Sequence, residues 1–248
     1  RSFRVAASLL AFCLLALLAP ATADAQKGGT THEVGVDGDI QDAIDDASNG
    51  DTIQLAAGTY NITTTIDPGG KQVTILGTVD GEGEPNSILD GGGAFRVLIC
   101  QSGETSTTVF QNLVIQNGFA NNGGGMYNDN SSSPTLTNCT FTSNSATSNG
   151  GGMLNYQKSS PTLTDCTFTS SSASDDGGGM RNAFYSSPTL TDCEFTGNSA
   201  DYGTGGFYSY NQDCGNTLTL NGCAICENIG GNFQGPWIDG GENCISIE

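Results

Sequence analysis

The nine residues Pro134-Thr-Leu-Thr-Asn-Cys-Thr-Phe-Thr142 recur almost unchanged at Pro161–Thr169 and at Pro188–Thr196. Successive copies begin 27 residues apart. A repeat of this length is typical of a solenoid, whose units are each too small to bury their own apolar face and therefore stack on one another. The sequence thus predicts a series of similar, stacked coils.

A second phrase lies between these copies. Gly123-Gly-Gly-Met-Tyr-Asn128 returns at Gly150–Asn155 and Gly177–Asn182, and in a shortened form at Gly205–Ser209. Both phrases are rich in Gly, Ser, Thr, Asn and Pro. Neither has the helix-forming composition, or the apolar residues at i, i+3, i+4 and i+7, that a helical repeat needs. The repeating units are therefore not helical.

Alternation within the first phrase predicts strands. In Thr-Leu-Thr and Thr-Phe-Thr one apolar residue lies between threonines, which is the period of a strand with one buried face. Leu136 and Cys139 are an odd number of residues apart, although both have the character of inside residues, so the chain must bend between them. Asn138, Asp165 and Asp192 occupy this bend, and Asn and Asp tolerate the left-handed conformation better than other non-glycine residues.

Stacking places equivalent residues above one another, at the roughly 4.8 Å spacing of paired strands. We therefore predict an all-β fold, a parallel β-helix with three-strand coils of about 27 residues. The predicted inner ladders are Met126/Met153/Met180/Phe207, Leu136/Leu163/Leu190, Cys139/Cys166/Cys193 and Phe141/Phe168/Phe195.

The chain divides into an export signal and one domain. Residues 1–25 combine two arginines, an apolar run and small residues at a cleavage site, which is the pattern of a signal peptide. We predict a single β-helix domain at residues 26–248, with regular repeats at 123–209 and an irregular C-terminal part at 212–248. We expect no transmembrane segment in the mature chain, and a location outside the cell or on its outer surface.

Residues 38–50 predict one short amphipathic helix near the N-terminus. Asp39 is suited to be its N-cap, Ile40 and Ile44 belong to its apolar face, and Gly50 is expected to end it. Such a helix covers the open end of a solenoid, where an exposed strand edge favours aggregation.

The mature chain is strongly acidic. Removal of residues 1–25 takes away two of the 7 basic and one of the 26 acidic residues, which leaves 5 and 25 and a net charge of −20. Such a surface repels nucleic acid and anionic lipid. We expect no nucleic-acid partner, and we predict a monomer that meets an extracellular glycan or a cell-surface protein.

The cysteines allow two interpretations. Exported proteins usually pair their cysteines, but Cys139, Cys166 and Cys193 fall on an inner ladder, where a thiol acts as a small apolar group. We favour free, stacked thiols there, with disulfides as the alternative. In the irregular C-terminal part we predict a disulfide between Cys226 and Cys244.

Two resemblances follow from these motifs. Ile40–Tyr60, with Lys71–Gly77 and Ile88–Gly92, resembles the opening of the pectate-lyase-like superfamily of right-handed parallel β-helices. The repeats resemble those of chlamydial polymorphic outer-membrane proteins, whose Phe-x-x-Asn motif is matched at Phe141–Asn144 and Phe195–Asn198, whereas the copy between them ends in serine. The superfamily resemblance implies right-handed coils and an asparagine ladder, for which the candidates are Asn128, Asn155 and Asn182.

The superfamily contains lyases and hydrolases of pectin and related polymers, which use a calcium site with a basic residue, or clustered aspartates with a histidine. This chain has one histidine, His32, and few basic residues, so we favour a non-catalytic protein without a cofactor. Catalysis remains the alternative. Its candidates are Asp165 and Asp192, stacked near the roughly 5 Å carboxylate separation of retaining glycosidases, with Arg181 as a base.

Two further groups are candidates for ligand contact. Asp175, Asp176 and Asp201 could join a calcium site, because carboxylate oxygens suit this cation, with a solvated loop as the alternative. Aromatic residues, Phe184 among them, gather after the Gly-rich strand, and such rings either stack on sugars or pack the loops. The predicted binding residues are Tyr127, Tyr156, Tyr185, Tyr208 and Tyr210.

The outward threonine pairs Thr135/Thr137 and Thr162/Thr164 resemble the ice-binding face of some antifreeze solenoids, although threonine is also simply favourable on an exposed strand. Our favoured hypothesis is a secreted or surface-displayed, non-catalytic β-helix with an adhesive, structural or glycan-binding role. The alternative is a carbohydrate-active enzyme, either a polysaccharide lyase or a glycoside hydrolase.

Overall fold

A computed structural model of the chain describes residues 29–209, 216 and 218–245. The predicted signal peptide and Tyr210 lie outside the described residues. The remaining predicted site residues all lie within them.

The described chain forms one short helix and a succession of short strands. The helix α1 spans Ile40–Asp46. The strands are β1 Thr31–Val34, β2 Thr52–Leu55, β3 Gly58–Asn61, β4 Thr74–Leu76, β5 Ser87–Asp90, β6 Leu98–Cys100, β7 Val109–Gln116, β8 Phe119–Asn122, β9 Met126–Asn128, β10 Thr135–Thr142, β11 Ser145–Asn149, β12 Met153–Asn155, β13 Thr162–Thr164, β14 Thr167–Thr169, β15 Ser172–Ala173, β16 Met180–Asn182, β17 Thr189–Thr191, β18 Glu194–Thr196, β19 Ser199–Ala200, β20 Phe207–Ser209, β21 Leu218–Asn221, β22 Ala224–Cys226, β23 Phe233–Gln234, β24 Trp237–Asp239 and β25 Cys244–Ile245.

Three parallel sheets run along the stack of coils. The first has 15 strands, with the path β1-β2-β4-β7-β10-β13-β17-β21-β24 and, beside it, β3, β5, β14, β18, β22 and β25. The second has the order β19-β15-β11-β8, and the third β23-β20-β16-β12-β9-β6. Pairing of strands that are distant in sequence, always to the equivalent strand of the next coil, confirms the predicted all-β parallel β-helix.

The repeat sets the register of these pairings. Met153 pairs with Met126 on one side and with Met180 on the other. The offset is 26 residues between β7 and β10 and 30 residues between β17 and β21. The pairings therefore follow the 27-residue repeat, with one residue fewer before the regular coils and three more after them.

Each regular coil bends at a left-handed corner. The φ angles are +50° at Asn138, +52° at Asp165 and +51° at Asp192. Strand β10 passes through this corner as one element, whereas the next coil is divided there into β13 and β14. A coil therefore has four strand segments in three sheets, because the first sheet folds around the corner.

Inner side chains form continuous columns along the axis. Phe141, Phe168 and Phe195 are fully buried, and neighbouring ring centroids are 4.6 Å apart, with interplanar angles of 4° and 2°. The methionine, leucine and cysteine columns are at most 2% exposed. Burial of one large apolar side chain contributes about 1.5–3 kcal/mol, so these columns hold the coils together.

The Gly-rich phrase follows from close approach between coils. Gly150 has a φ angle of +65°, which favours glycine. A Cβ atom added to Gly125 would lie only 2.5 Å from the carbonyl oxygen of Gly152, which is closer than two such atoms can pack. The successive glycines therefore let neighbouring coils approach closely at the turn before the third sheet.

Helix α1 covers the N-terminal end. The side chain of Asp39 accepts hydrogen bonds from the backbone N–H groups of Gln41 and Asp42, and Ile40 and Ile44 are buried in the core. The helix ends at Asp46, before Gly50, because the backbone is already extended at Ala47, and Lys71 donates to the carbonyl oxygens of Ile44 and Asp45 at this end. Strand β1, which precedes the helix, was not predicted.

The C-terminal end differs from this capped end. In the last rung Trp237 lies opposite Leu218 and Asp239 opposite Leu220. Trp237 is 37% exposed and packs edge-on against Phe233, with the ring centroids 6.1 Å apart. Among the described residues, the side chains of this last layer are therefore less buried than those of the coils before it.

Candidate functional site

The corner that carries Asp165 and Asp192 is exposed. The pairing of Thr164 with Thr191 sets these two aspartates one rung apart, as predicted. Asn112 and Gly222 hold the same corner in neighbouring coils, with φ angles of +58° and +63°. The left-handed backbone alone accounts for Asn, Asp and Gly at this place.

Arg181 lies on another face of the coil. It belongs to β16 in the third sheet, whereas the Asp165 and Asp192 corner belongs to the first sheet. The structure therefore does not bring the three candidate catalytic residues together. The physical reason is that the chain passes through the second sheet and the glycine turn between the corner and β16.

Arg181 instead lies beside Asp176 and Tyr208. Its Nη2 atom is 3.8 Å from Oδ2 of Asp176, and its guanidinium carbon is 5.6 Å from the ring centroid of Tyr208. Burial raises the pKa of Asp176, and the charge of Arg181 opposes that rise. The arrangement is a half-buried ion pair on the outer face of the third sheet.

The three aspartates proposed for calcium do not form a cluster. Asp175 is exposed and accepts a hydrogen bond from the hydroxyl of Ser148 at 2.6 Å, and Asp201 is also exposed. Within residues 29–209 and 218–245 there is no group of three His, Cys, Asp or Glu side chains that could hold a metal ion.

The row of predicted binding aromatics divides into two parts. Tyr127 and Tyr208 lie on the outer face of the third sheet, where each ring is stacked against an arginine. The guanidinium carbon of Arg96 is 5.1 Å from the ring centroid of Tyr127. The Tyr127 hydroxyl donates a hydrogen bond to Asp129. Burial is the main cause that raises the pKa of Tyr127, and this hydrogen bond raises it further. One face of each ring is therefore already occupied.

The other aromatics lie in the turn that follows the third sheet. Phe184 is 49% and Tyr185 is 50% exposed. Tyr156, from the preceding coil, meets Phe184 edge-on, with the ring centroids 4.7 Å apart. We call Tyr156, Phe184 and Tyr185 the aromatic turn.

An unusual backbone holds these rings outward. Phe184 and Tyr185 both have positive φ angles, +52° and +68°, and so do Gln157 and Lys158 one rung before, at +46° and +67°. For bulky residues this conformation is rare and costs about 1–3 kcal/mol per residue. The coil maintains it through pairing between rungs, since the N–H of Lys158 donates to the carbonyl of Phe184 at 2.9 Å.

The aromatic turn borders a shallow recess of about 460 Å³. Amide, hydroxyl, ammonium and aromatic groups line it, and no carboxylate does so, although the chain has 26 acidic residues. The lining residues are Asn130, Ser131, Gln157, Lys158, Phe184 and Tyr185.

The predicted asparagine ladder is present. The side-chain amide of Asn128 donates to Asn155 at 2.8 Å, and that of Asn155 donates to Asn182 at 2.8 Å, with all three fully buried. Asn144, Ser171 and Asn198 form a second ladder, in which Ser171 takes the place of an asparagine: its hydroxyl accepts from the N–H of Asn144 at 3.3 Å, and its own N–H donates to Asn198 at 3.0 Å. These amides support the fold.

Every cysteine that the structure describes has a free thiol. The stacked Cys166 and Cys193 donate to carbonyl oxygens of their own coils, and contact with the neighbouring thiol raises the pKa of each. The structure contradicts the predicted disulfide between Cys226 and Cys244, because both thiols are free. Cys244 pairs with Ala224, so Cys226 is one rung and two residues away, roughly 8 Å between Cα atoms, beyond the ~7 Å that a disulfide can span.

The single histidine has a structural contact that the sequence did not predict. His32, in β1, lies 3.0 Å from the Asp51 carboxylate. Asp51 also accepts from the N–H groups of Thr30 and Ser48. These hydrogen bonds, His32 first, lower the pKa of Asp51 from 3.8 to about 2.

These observations define a class of protein: a parallel β-solenoid with structural corners and ladders and with one recess lined by exposed aromatic rings. The model of the family described as "Right handed beta helix region" matches residues 84–248, more than half of the chain. The chain belongs to the right-handed β-helix family. No curated protein and no solved structure matches it, so the likeness to chlamydial outer-membrane proteins stays a prediction.

Proposed function

We propose that this protein is an exported, non-catalytic β-helix that binds a glycan at the aromatic turn. The observation that carries the proposal is the pair of half-exposed rings, Phe184 and Tyr185, on a left-handed backbone. A strained conformation that displays apolar rings to solvent at a free-energy cost is expected where the rings contact a ligand.

The chemistry of the recess suits a sugar. Flat rings pack against the C–H faces of a pyranose, while the amides of Asn130 and Gln157 can exchange hydrogen bonds with its hydroxyl groups. Lys158 adds a side-chain donor that can bond to a hydroxyl oxygen of the sugar. Together these groups combine an apolar platform with polar atoms that fix orientation, as in most small-ligand sites.

The negative charge of the chain limits the classes of partner that it can bind. With a formal net charge of −19, the surface repels nucleic acid and anionic membranes over several ångströms. No helix among the described residues is long and apolar enough to span a membrane. The proposed partner is an extracellular glycan, free or on a cell-surface protein, and the signal-peptide pattern of residues 1–25 supports the proposed location outside the cell or on its surface.

The test is retention of the mature protein on immobilised neutral and acidic polysaccharides, with and without calcium. Removal of both rings in Phe184→Ala/Tyr185→Ala should cost about 1 kcal/mol per ring, a roughly 30-fold weaker interaction. Phe119→Ala is the matched control, because Phe119 is 40% exposed on β8, in a different sheet. Equal binding of both variants would contradict the proposal. Loss of polysaccharide binding when calcium is chelated would show that the interaction also needs calcium.

A second candidate function rests on the Asp176 and Arg181 pair. A carboxyl group whose pKa is raised by burial, next to a guanidinium, is suited to proton transfer to or from a polysaccharide. The same incubations should therefore be assayed for new reducing or unsaturated ends. Product formation that Asp176→Asn abolishes, and Asp192→Asn does not, would replace the binding proposal by an enzymatic one.

A further inference from the structure

The sequence contains three Asn-x-Ser/Thr triplets: Asn61-Ile-Thr63, Asn130-Ser-Ser132 and Asn138-Cys-Thr140. In an exported chain this triplet is the acceptor of an N-linked oligosaccharide. A chain rich in Asn, Ser and Thr contains such triplets by chance, so the motif alone does not identify a modified residue. The surroundings of the three asparagine side chains differ, however, and they distinguish the triplets from one another.

Asn138 is already engaged in the fold. It holds the left-handed corner of its coil, with a φ angle of +50°. Its side-chain amide donates to the carbonyl oxygen of Gly83 at 3.2 Å and to the side-chain oxygen of Asn112 at 3.0 Å, and the middle residue of its triplet, Cys139, is buried. An oligosaccharide on this nitrogen would replace at least one of these hydrogen bonds.

Asn130 is exposed, but its triplet is also engaged. Its side-chain amide donates to the carbonyl oxygen of Gln101 at 3.1 Å. Ser132 is fully buried, and its hydroxyl accepts from the N–H of Gly103 at 3.1 Å. Because Asn130 lines the recess beside the aromatic turn, an oligosaccharide at this residue would fill the proposed glycan site.

Asn61 has none of these restraints. It is the last residue of β3, and both Asn61 and Thr63 are exposed, whereas Ile62 between them is buried. The side chains at positions 61 and 63 therefore point away from the core, as alternation predicts. The amide of Asn61 makes no hydrogen bond to another residue that the structure describes. Its nitrogen can be modified without loss of a contact.

Strand β3 is also an edge of the first sheet. It pairs with β5 on one side, and the described part of the chain places no strand on its other side. An unpaired strand edge can pair with another chain and so promote aggregation. A bulky, hydrophilic group at the end of β3 would hinder such pairing.

We infer that Asn61 carries an N-linked oligosaccharide, which shields the edge of β3. The amide nitrogen forms a bond to the anomeric carbon of an oligosaccharide that is attached to a lipid diphosphate. The bond from that carbon to the diphosphate oxygen breaks, the lipid diphosphate leaves, and the nitrogen releases one proton. Thr63 supplies the hydroxyl that the triplet requires. The inference rests on the proposed export of the chain, and it is independent of glycan binding at the aromatic turn.

The experiment produces the full chain, including residues 1–25, in a eukaryotic secretory cell line. Peptide mass spectrometry of the secreted protein locates oligosaccharides, before and after treatment with an amidase that removes them and leaves aspartate at the modified position. Thr63→Val removes the hydroxyl of the triplet and keeps the shape of the side chain. Thr64→Val is the matched control, because Thr64 is the next residue and is also exposed. Light scattering on warming compares the aggregation of the two variants.

The expected result is an oligosaccharide on Asn61 in the wild type and in Thr64→Val, and its loss in Thr63→Val together with faster aggregation. Secreted wild type with unmodified Asn61 would overturn the inference, and so would modification of Asn61 in Thr63→Val. Equal aggregation of the two variants would overturn the shielding role. Failure of secretion would contradict the export on which the inference rests. Phe184→Ala/Tyr185→Ala should still be modified at Asn61, which separates this site from the aromatic turn.

Discussion

The middle coils and the final rung use the same backbone but differ in the number of neighbours. Phe168 has an equivalent ring on each side and is fully buried. Phe233, in the last rung, stacks on Phe207 at 5.4 Å and is only half-buried, with Trp237 leaning over it. Burial in this molecule is therefore a property of the adjacent coil as much as of the residue.

The largest expected effect tests this difference directly. Phe168→Ala removes a ring packed on both faces and should lower the free energy of unfolding by about 3–5 kcal/mol. Phe233→Ala should cost less than half of that, because one side of the ring already faces solvent or Trp237. Urea denaturation followed by circular dichroism measures both, and equal losses would show that the end of the solenoid is covered.

A similar pair of variants examines the asparagine ladder. Asn155→Ala leaves the amide of Asn128 and the carbonyl of Asn182 without their partner in a buried site, at a cost of about 1–3 kcal/mol for each. Ser209 follows Asn182 in the same column, and its hydroxyl has no hydrogen-bond partner among the described residues. Ser209→Ala should therefore change stability by no more than about 0.5 kcal/mol, as thermal unfolding can verify.

The smallest expected effect concerns the N-terminal pair of strands, β1 and β2, which the hydrogen bonds of Asp51 stabilise. The pKa of Asp51 is lowered from 3.8 to about 2 in the folded protein, so the carboxylate stabilises the fold above about pH 4 and that contribution is lost as the pH falls towards 2. The Asp51→Asn variant should be less stable at neutral pH, and the difference from the wild type should vanish near pH 2.

Hydrogen exchange of the β1 and β2 amides, followed from pH 2 to 5, measures this contribution locally. Asp80→Asn is a suitable control, because Asp80 also has a lowered pKa but lies in a loop between β4 and β5. In the wild type, the protection of the β1 amides should fall as the pH is lowered. If it falls just as steeply in the Asp51→Asn variant, the proposed role of Asp51 is contradicted.

The regular coils were predictable because the repeat displays their inner columns. Leu136, Cys139 and Phe141 are distinguishable from their neighbours by alternation, and their burial follows. Strand β1 has no equivalent 27 residues away, so alternation in four residues was too short a signal. The sequence shows that the middle copy of the Phe-x-x-Asn motif ends in Ser171, but it does not show that this hydroxyl accepts a hydrogen bond from Asn144 as an asparagine side chain would.

The candidate site was less predictable. Tyr156 and Tyr185 were predicted as binding residues, and the structure places them in the corresponding turns of neighbouring coils, but Tyr127 and Tyr208 lie against arginines instead. Which rings are exposed depends on the paired left-handed residues of the turn, and nothing in the letters Phe184-Tyr185 predicts positive φ angles. The Asp176 contact with Arg181 likewise depends on the glycine turn that lies between these two residues within one coil.

Because the middle coils are nearly identical, they could pair in the wrong register during folding. A chain that docked one coil out of step would still place Phe on Phe, Leu on Leu and Cys on Cys, so the misaligned state would lose little packing energy. The offsets of 26 residues before the regular coils and 30 after them break this degeneracy. The two irregular spacings therefore help to specify which coils pair with each other. A chain in which both are changed to 27 residues should misfold more often.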